Sequence, residues 1–208
     1  MTTTTTIGTL RHARTTFGAE MRYAGSIDVP LSEEGIRDCA QARGALAQMH
    51  FDVVITSTQK RAIATALLLG FDAASLVRRD LCRERNFGIM EGMSPEEVRG
   101  LDPPVLFIRV GDDSHSVNPK GSEPFEDVWE RAKKLMRLVF REYKGSSILI
   151  VSHGVFLQMF HGVLRGSNCI ESLGAYPGNL QLSTFHFTGR RFVDEDVRRL
   201  SGPAGVAF

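Results

Sequence analysis

The chain has 208 residues, 42% hydrophobic and 24% charged, a length and balance that fit one α/β domain with a sizeable core. Its formal net charge of +1 supplies no global field to recruit nucleic acid or an anionic bilayer, so any attraction for an anion has to be local. Cys39, Cys82 and Cys169 form no C-x-x-C pair, and no apolar run approaches the roughly 18 residues of a membrane span; a cytoplasmic protein with reduced thiols is expected.

In chain order, residues 1–6 are a threonine-rich lead expected to fray. The apolar run IGTL then predicts a strand ending at Arg11-His12. From Ser32, acidic residues in a first turn start a helix with Ile36, Ala40 and Ala47 along one face. DVVIT predicts a second strand, running into Ser57-Thr58 and then Arg61. The segment 92–123 is irregular, with Pro95, Pro103, Pro104, Pro119 and several glycines. Residues 126–143 predict a helix whose stripe Val128, Ala132, Leu135 and Val139, adjoined by Trp129, Met136 and Phe140, faces the core. SSILIVS predicts a third strand running into His153-Gly154. Residues 180–187 and 191–193 predict two last strands joined by a turn at Thr188-Gly189, and 201–208 are left as a tail.

Three of these strands are apolar runs followed by helix-like segments, the pattern of parallel strands buried on both faces. The expected architecture is a three-layer α/β/α domain with a mostly parallel central sheet and helices on both faces. In open α/β sheets ligands bind outside the carboxyl ends of the strands, so two imidazoles and two guanidiniums point toward one crevice. A neutral imidazole can attack phosphorus, and guanidiniums grip non-bridging oxygens in bidentate fashion. One such residue after a strand is usually a cap or a solvated group. Three junctions with the same chemistry single these out.

Four stretches resemble, in order and spacing, the histidine phosphatase superfamily, the phosphoglycerate mutase-like clan (branch 1). TLRHARTT is similar to its R-H-G signature, TSTQKRAIATA to S-x-x-x-R-A-x-x-T, RERNFGIMEG to E-x-x-F-G-x-x-E-G, and VSHGVFLQM to a second S-H-G signature; the likeness runs from about Ile7 to Val193. The resemblance implies that His12 is a nucleophile forming phosphohistidine and that Arg11, Arg61 and His153 complete a phosphate pocket. It further implies that Glu84 is the general acid, and that 92–123 is a variable lid over the site. Thr15, Thr16, Ser57, Gly154 and Arg14 are further candidates for contacts to phosphate or substrate. Within the lid, Arg99, Arg109, His115 and Lys120 are candidates for a second anionic group.

The chain departs from the family pattern at three places. Ala13 stands where Gly is usual, Gly18 where many members carry Asn, and Arg14 where Glu or Gln is frequent. Tyr176-Pro177-Gly178-Asn179 resembles the family's late Asn position and reads equally well as a plain turn. The implied activity is hydrolysis of a small phosphomonoester. A cofactor-dependent mutase is the alternative, but the chain lacks the longer insertion with paired arginines and has Phe87 where mutases carry an aromatic hydroxyl. A non-catalytic phosphate-binding protein of the same fold is a third reading. His50, His161 and His186 fall into no H-E-x-x-H spacing, and Gly-x-Gly and Walker patterns are absent, so no metal and no cofactor are expected. The expected partner is a small phosphorylated metabolite, with no nucleic acid and no membrane; a homodimer is compatible with the sequence. Sugar phosphates, phosphoglycerates, a ribazole phosphate and a phosphopeptide all offer the same phosphoryl group.

Overall fold

Apolar, β-branched segments build the centre of the molecule, whose computed structural model describes residues 3–117 and 119–201. The strands are β1 (Thr4–Arg11), β2 (Val53–Thr56), β3 (Leu76–Arg78), β4 (Phe107–Val110), β5 (Asp113–Ser116), β6 (Ser147–Ser152), β7 (Gln181–Thr188) and β8 (Arg191–Arg199). Six of them form one sheet in the order β3-β2-β6-β1-β7-β8, parallel from β3 to β1 and antiparallel over β7 and β8.

Alternate side chains on the parallel strands point into two cores. Ile7, Ile55, Ile148 and Ile150 pack on α5 (Phe125–Glu142) and α6 (Gly154–Arg165). Leu10, Val54, Leu149 and Val151 pack on the opposite layer, made by α2 (Glu33–Leu46) and α3 (Lys60–Leu68). The expected α/β/α sandwich is therefore present. The predicted stripe of α5 is its buried face, with Val128, Ala132, Leu135 and Val139 wholly inside. Helix α6 is buried from Gly154 to Leu164, as suits a helix wedged between sheet, α5 and a following loop.

Four expectations need correction. Strand β1 takes in Thr4 to Thr6, part of the segment expected to fray. Thr4 pairs with Thr188, and the buried Thr5 hydroxyl accepts from the Gly145 amide at 2.9 Å. Threonine is a good strand former, and a partner strand gives this lead its order. On α2 the buried line is Gly35, Cys39, Ala42 and Leu46, whereas Ile36, Ala40 and Ala47 face outward. Gly35 sets that rotation: a Cβ there would lie 2.2 Å from the Arg14 carbonyl oxygen, so only a glycine can face the loop. The last strand is longer than expected, because Asp194 to Arg199 continue the ladder with β7. The segment 92–123 is not wholly irregular; it carries α4 (Pro95–Arg99), with a Ser94 capping box, and the β4–β5 hairpin. The tail beyond Ser201 lies outside the described residues. No described helix is long and apolar enough to cross a membrane.

Candidate active site

The register of β1 against β6 decides the site. Arg11 pairs with Ser152, so the next residue on each strand, His12 and His153, leaves the sheet side by side. The two rings lie 5.1 Å apart, and the His12 amide donates to the Ser152 carbonyl at 2.9 Å. Strand β2 delivers Arg61 in the first turn of α3, 1% exposed. Its Nε donates to His153 Nδ1 at 3.1 Å, while its terminal nitrogens donate to the carbonyls of Ile27 and Gly25 at 2.8 and 2.7 Å.

These bonds select the tautomers. His12 Nδ1 donates to the Ala13 carbonyl at 2.7 Å, which leaves Nε2 with a free lone pair. His153 Nδ1 accepts from Arg61, so its proton sits on Nε2, a buried donor without a protein partner. Burial, then the Arg61 and Arg11 guanidiniums, hold His12 well below the usual imidazole range. Burial and then Arg61 do the same for His153. Both rings are neutral near pH 7, as a nitrogen nucleophile requires.

Arg11 donates to the Pro177 carbonyl at 2.9 Å and lies over the Tyr176 ring, 4.7 Å from its centroid. Glu84, 5% exposed, rests on the amino end of α6, where its oxygens accept from the amides of Val155 and Phe156 at 3.3 and 3.1 Å and from Arg85 at 2.9 Å. Arg11, His12, Thr15, Arg61 and Glu84 line one cleft. Thr15 caps the short helix α1 (Thr16–Ala19), accepting from the Gly18 amide at 3.1 Å.

Other candidates stand elsewhere. Arg14 turns away to Glu34 and Asp38 on α2, at 2.5 and 3.7 Å, where two carboxylates hold its guanidinium. The side chains of Thr16 and Ser57 are not on the cleft lining; the Ser57 hydroxyl accepts from the Gln59 amide at 3.2 Å. Gly154 contributes by having no side chain, which lets Tyr176 close over it. Of the four lid candidates, His115 reaches the lining, while Arg99, Arg109 and Lys120 do not. Asn179 donates to the His12 carbonyl at 2.7 Å, so the late Asn braces the His12 backbone.

Sequence reasoning overlooked Arg22, Tyr23 and Arg85, and named Tyr176 only as part of the stretch around Asn179; all four line the cleft. Arg85 follows Glu84 directly, and its place beside that candidate acid was its one available signal. The described residues hold no cluster of three His, Cys, Asp or Glu side chains fit to bind a metal ion.

Known proteins are similar to this chain in sequence and fold. The family model described as histidine phosphatase superfamily (branch 1) matches residues 7–197. Phosphoserine phosphatase 1 of Hydrogenobacter thermophilus is 29% identical over 186 residues, 88% of this chain and 87% of that one. Fructose-2,6-bisphosphatase TIGAR B of Danio rerio is 30% identical over 241 residues, covering 95% and 91%. The chain spans 50% of the length of mycobacterial relatives to which it is 30% identical over 184 residues. Among solved structures, Bacillus stearothermophilus YhfR superposes with a TM-score of 0.77 at 25% identity, covering 91% of this chain and 94% of that one. With the family model spanning nearly all of the described residues and the two strand-end histidines side by side, the chain belongs to the histidine phosphatase superfamily, branch 1, as a phosphatase of small phosphorylated molecules.

Proposed function

We propose that the chain hydrolyses a phosphomonoester in two steps at His12. Nε2 attacks phosphorus, the bond to the ester oxygen breaks, and Glu84 gives that oxygen a proton. In the second step water attacks the phosphohistidine, Glu84 takes the water's proton, and the P–N bond electrons return to Nε2. Arg11, Arg61 and the Nε2–H of His153 offset the charge on the phosphoryl oxygens, the work that magnesium does in other phosphoryl-transfer enzymes.

One observation carries this reading. The Ala13 carbonyl fixes the His12 proton on Nδ1, which points an unprotonated nitrogen at a pocket of cations. Brief reaction with labelled substrate followed by quenching tests it. An acid-labile, base-stable adduct on His12 is expected; label on Ser57 or a cysteine, or turnover without any adduct, rules the mechanism out. Aryl phosphate assays with and without bisphosphoglycerate separate hydrolysis from mutase action, since a mutase depends on that primer. The free thiols of Cys39, Cys82 and Cys169 support a reducing, cytoplasmic setting. Light scattering tests whether the active form is a homodimer.

A further inference from the structure

Arg85 is a fully buried cation on the cleft wall that the hydrolytic steps leave unused. Its Nε donates to the Glu123 carbonyl at 2.8 Å and its Nη1 to the Ser116 carbonyl at 2.8 Å. Phe125 stacks on the guanidinium at 3.8 Å, and Phe87 lies at 5.7 Å. The group is thus held in one orientation. Its Nη2 is buried and has no hydrogen-bond partner.

The charge is also poorly matched. Two of its contacts are main-chain dipoles, the Glu123 carboxylate is gripped by Arg131 through both oxygens at 2.8 Å, and Glu84 is occupied by three amides. Burial, the largest influence, brings the guanidinium pKa down to about 10. A desolvated cation with an open donor is costly unless an anion completes it.

We propose that Arg85 receives a carboxylate on the leaving alcohol, so that the preferred substrates are short phosphomonoesters of hydroxy acids. The inference rests on the phosphatase reading above, which sets Glu84, the chain neighbour of Arg85, at the leaving oxygen. A carboxylate fits better than a second phosphate. One guanidinium nitrogen is unpartnered, so a single carboxylate oxygen completes it, whereas a phosphate dianion brings more charge than this one cation offsets. Ser114, on the same hairpin strand as Ser116, adds a hydroxyl to this wall.

Steady-state kinetics on matched esters tests the inference: phosphoserine against phosphoethanolamine, and phosphoglycerate against glycerol phosphate, with a sugar bisphosphate and an aryl phosphate alongside. The intact protein is expected to favour the carboxylated member of each pair by about 10- to 100-fold in kcat/KM, the range of a buried charge-assisted hydrogen bond. In Arg85→Lys and Arg85→Met that preference is expected to fall within about threefold. Each preference is a ratio within one preparation, so partial misfolding of a variant cancels. A ratio near one in the intact protein overturns the proposal, as does a ratio that survives both substitutions or a stronger preference for the bisphosphate. Failure to hydrolyse any ester, aryl phosphate included, overturns the phosphatase reading itself.

Discussion

Gly154 opens α6 directly beneath Tyr176, and an added Cβ would stand 1.9 Å from the phenol oxygen, 2.1 Å from Cζ and 2.8 Å from Cε2. Real Cβ atoms stay beyond 3.0 Å of such neighbours, so Gly154→Ala requires the ring to move by roughly 1 Å. The ring is not a loose tip. Its backbone amide is tied to Asp113 Oδ2 at 3.0 Å, and Arg11 both stacks on it and donates to the next residue's carbonyl. Displacing Tyr176 therefore displaces Arg11, and a misplacement of about 1 Å in a positioning group costs about a hundredfold in rate. We expect Gly154→Ala to lower kcat/KM for an aryl phosphate by about 30- to 100-fold with circular dichroism unchanged. In a Tyr176→Ala background the same substitution meets no ring and should add little further loss, a strong non-additivity. Tyr176→Phe should not relieve the clash, because Cζ remains. Equal losses from Gly154→Ala with and without the ring refute the argument.

Three further outcomes are expected. Activity should survive exhaustive chelation, since in the proposed mechanism two arginines and His153 neutralise the phosphoryl charge; loss in EDTA that magnesium or zinc restores contradicts this. His12, His115, His153 and His161 are held below their unfolded value of 6.5 chiefly by burial, His161 at about 3, so the unfolded chain binds more protons in acid. Stability is thus full above about pH 6.5 and falls below it by about 1.4 kcal/mol per pH unit for each fully buried imidazole; an unchanged melting temperature between about pH 7 and about pH 5 contradicts this. Glu84→Gln should cut kcat on an alkyl phosphate by roughly a hundredfold or more, with a much smaller loss in the burst from a nitrophenyl ester. Equal burst losses on both esters would make Glu84 a binding residue.

What was legible in the sequence is what topology dictates. His12 and His153 meet because IGTL and SSILIVS are adjacent parallel strands in register, and an apolar run followed by a reactive residue announces that arrangement. The stripe of α5 was legible because its large aliphatic residues repeat at helical spacing. On α2 the same logic failed, since the buried line holds Gly35 and Cys39 while the exposed line holds Ile36. Size was a poor guide where a loop backbone needed room. Arg14 was misplaced because nothing local shows that Glu34 and Asp38 rise beside it. Arg85 and Tyr176 come to the cleft through loops, where no periodicity reports which way a side chain points.

Three buried donors without partners, Arg11 Nε, His153 Nε2 and Arg85 Nη2, belong to residues of the cleft or of the histidine pair beside it. Each unmade bond costs folding about 1–3 kcal/mol, and the two cores flanking the sheet must supply it. Side chains free to turn would find acceptors and remove that cost. These cannot: Arg11 is stacked on Tyr176, His153 is locked by Arg61, and Arg85 is held between Phe125 and two carbonyls. In the proposed reaction, the packing that prevents relaxation also keeps these donors oriented before an oxyanion arrives. Rigidity of the surrounding core is therefore part of the proposed chemistry, and substitutions that loosen Phe125 or Tyr176 are expected to act on the site through the cations they hold.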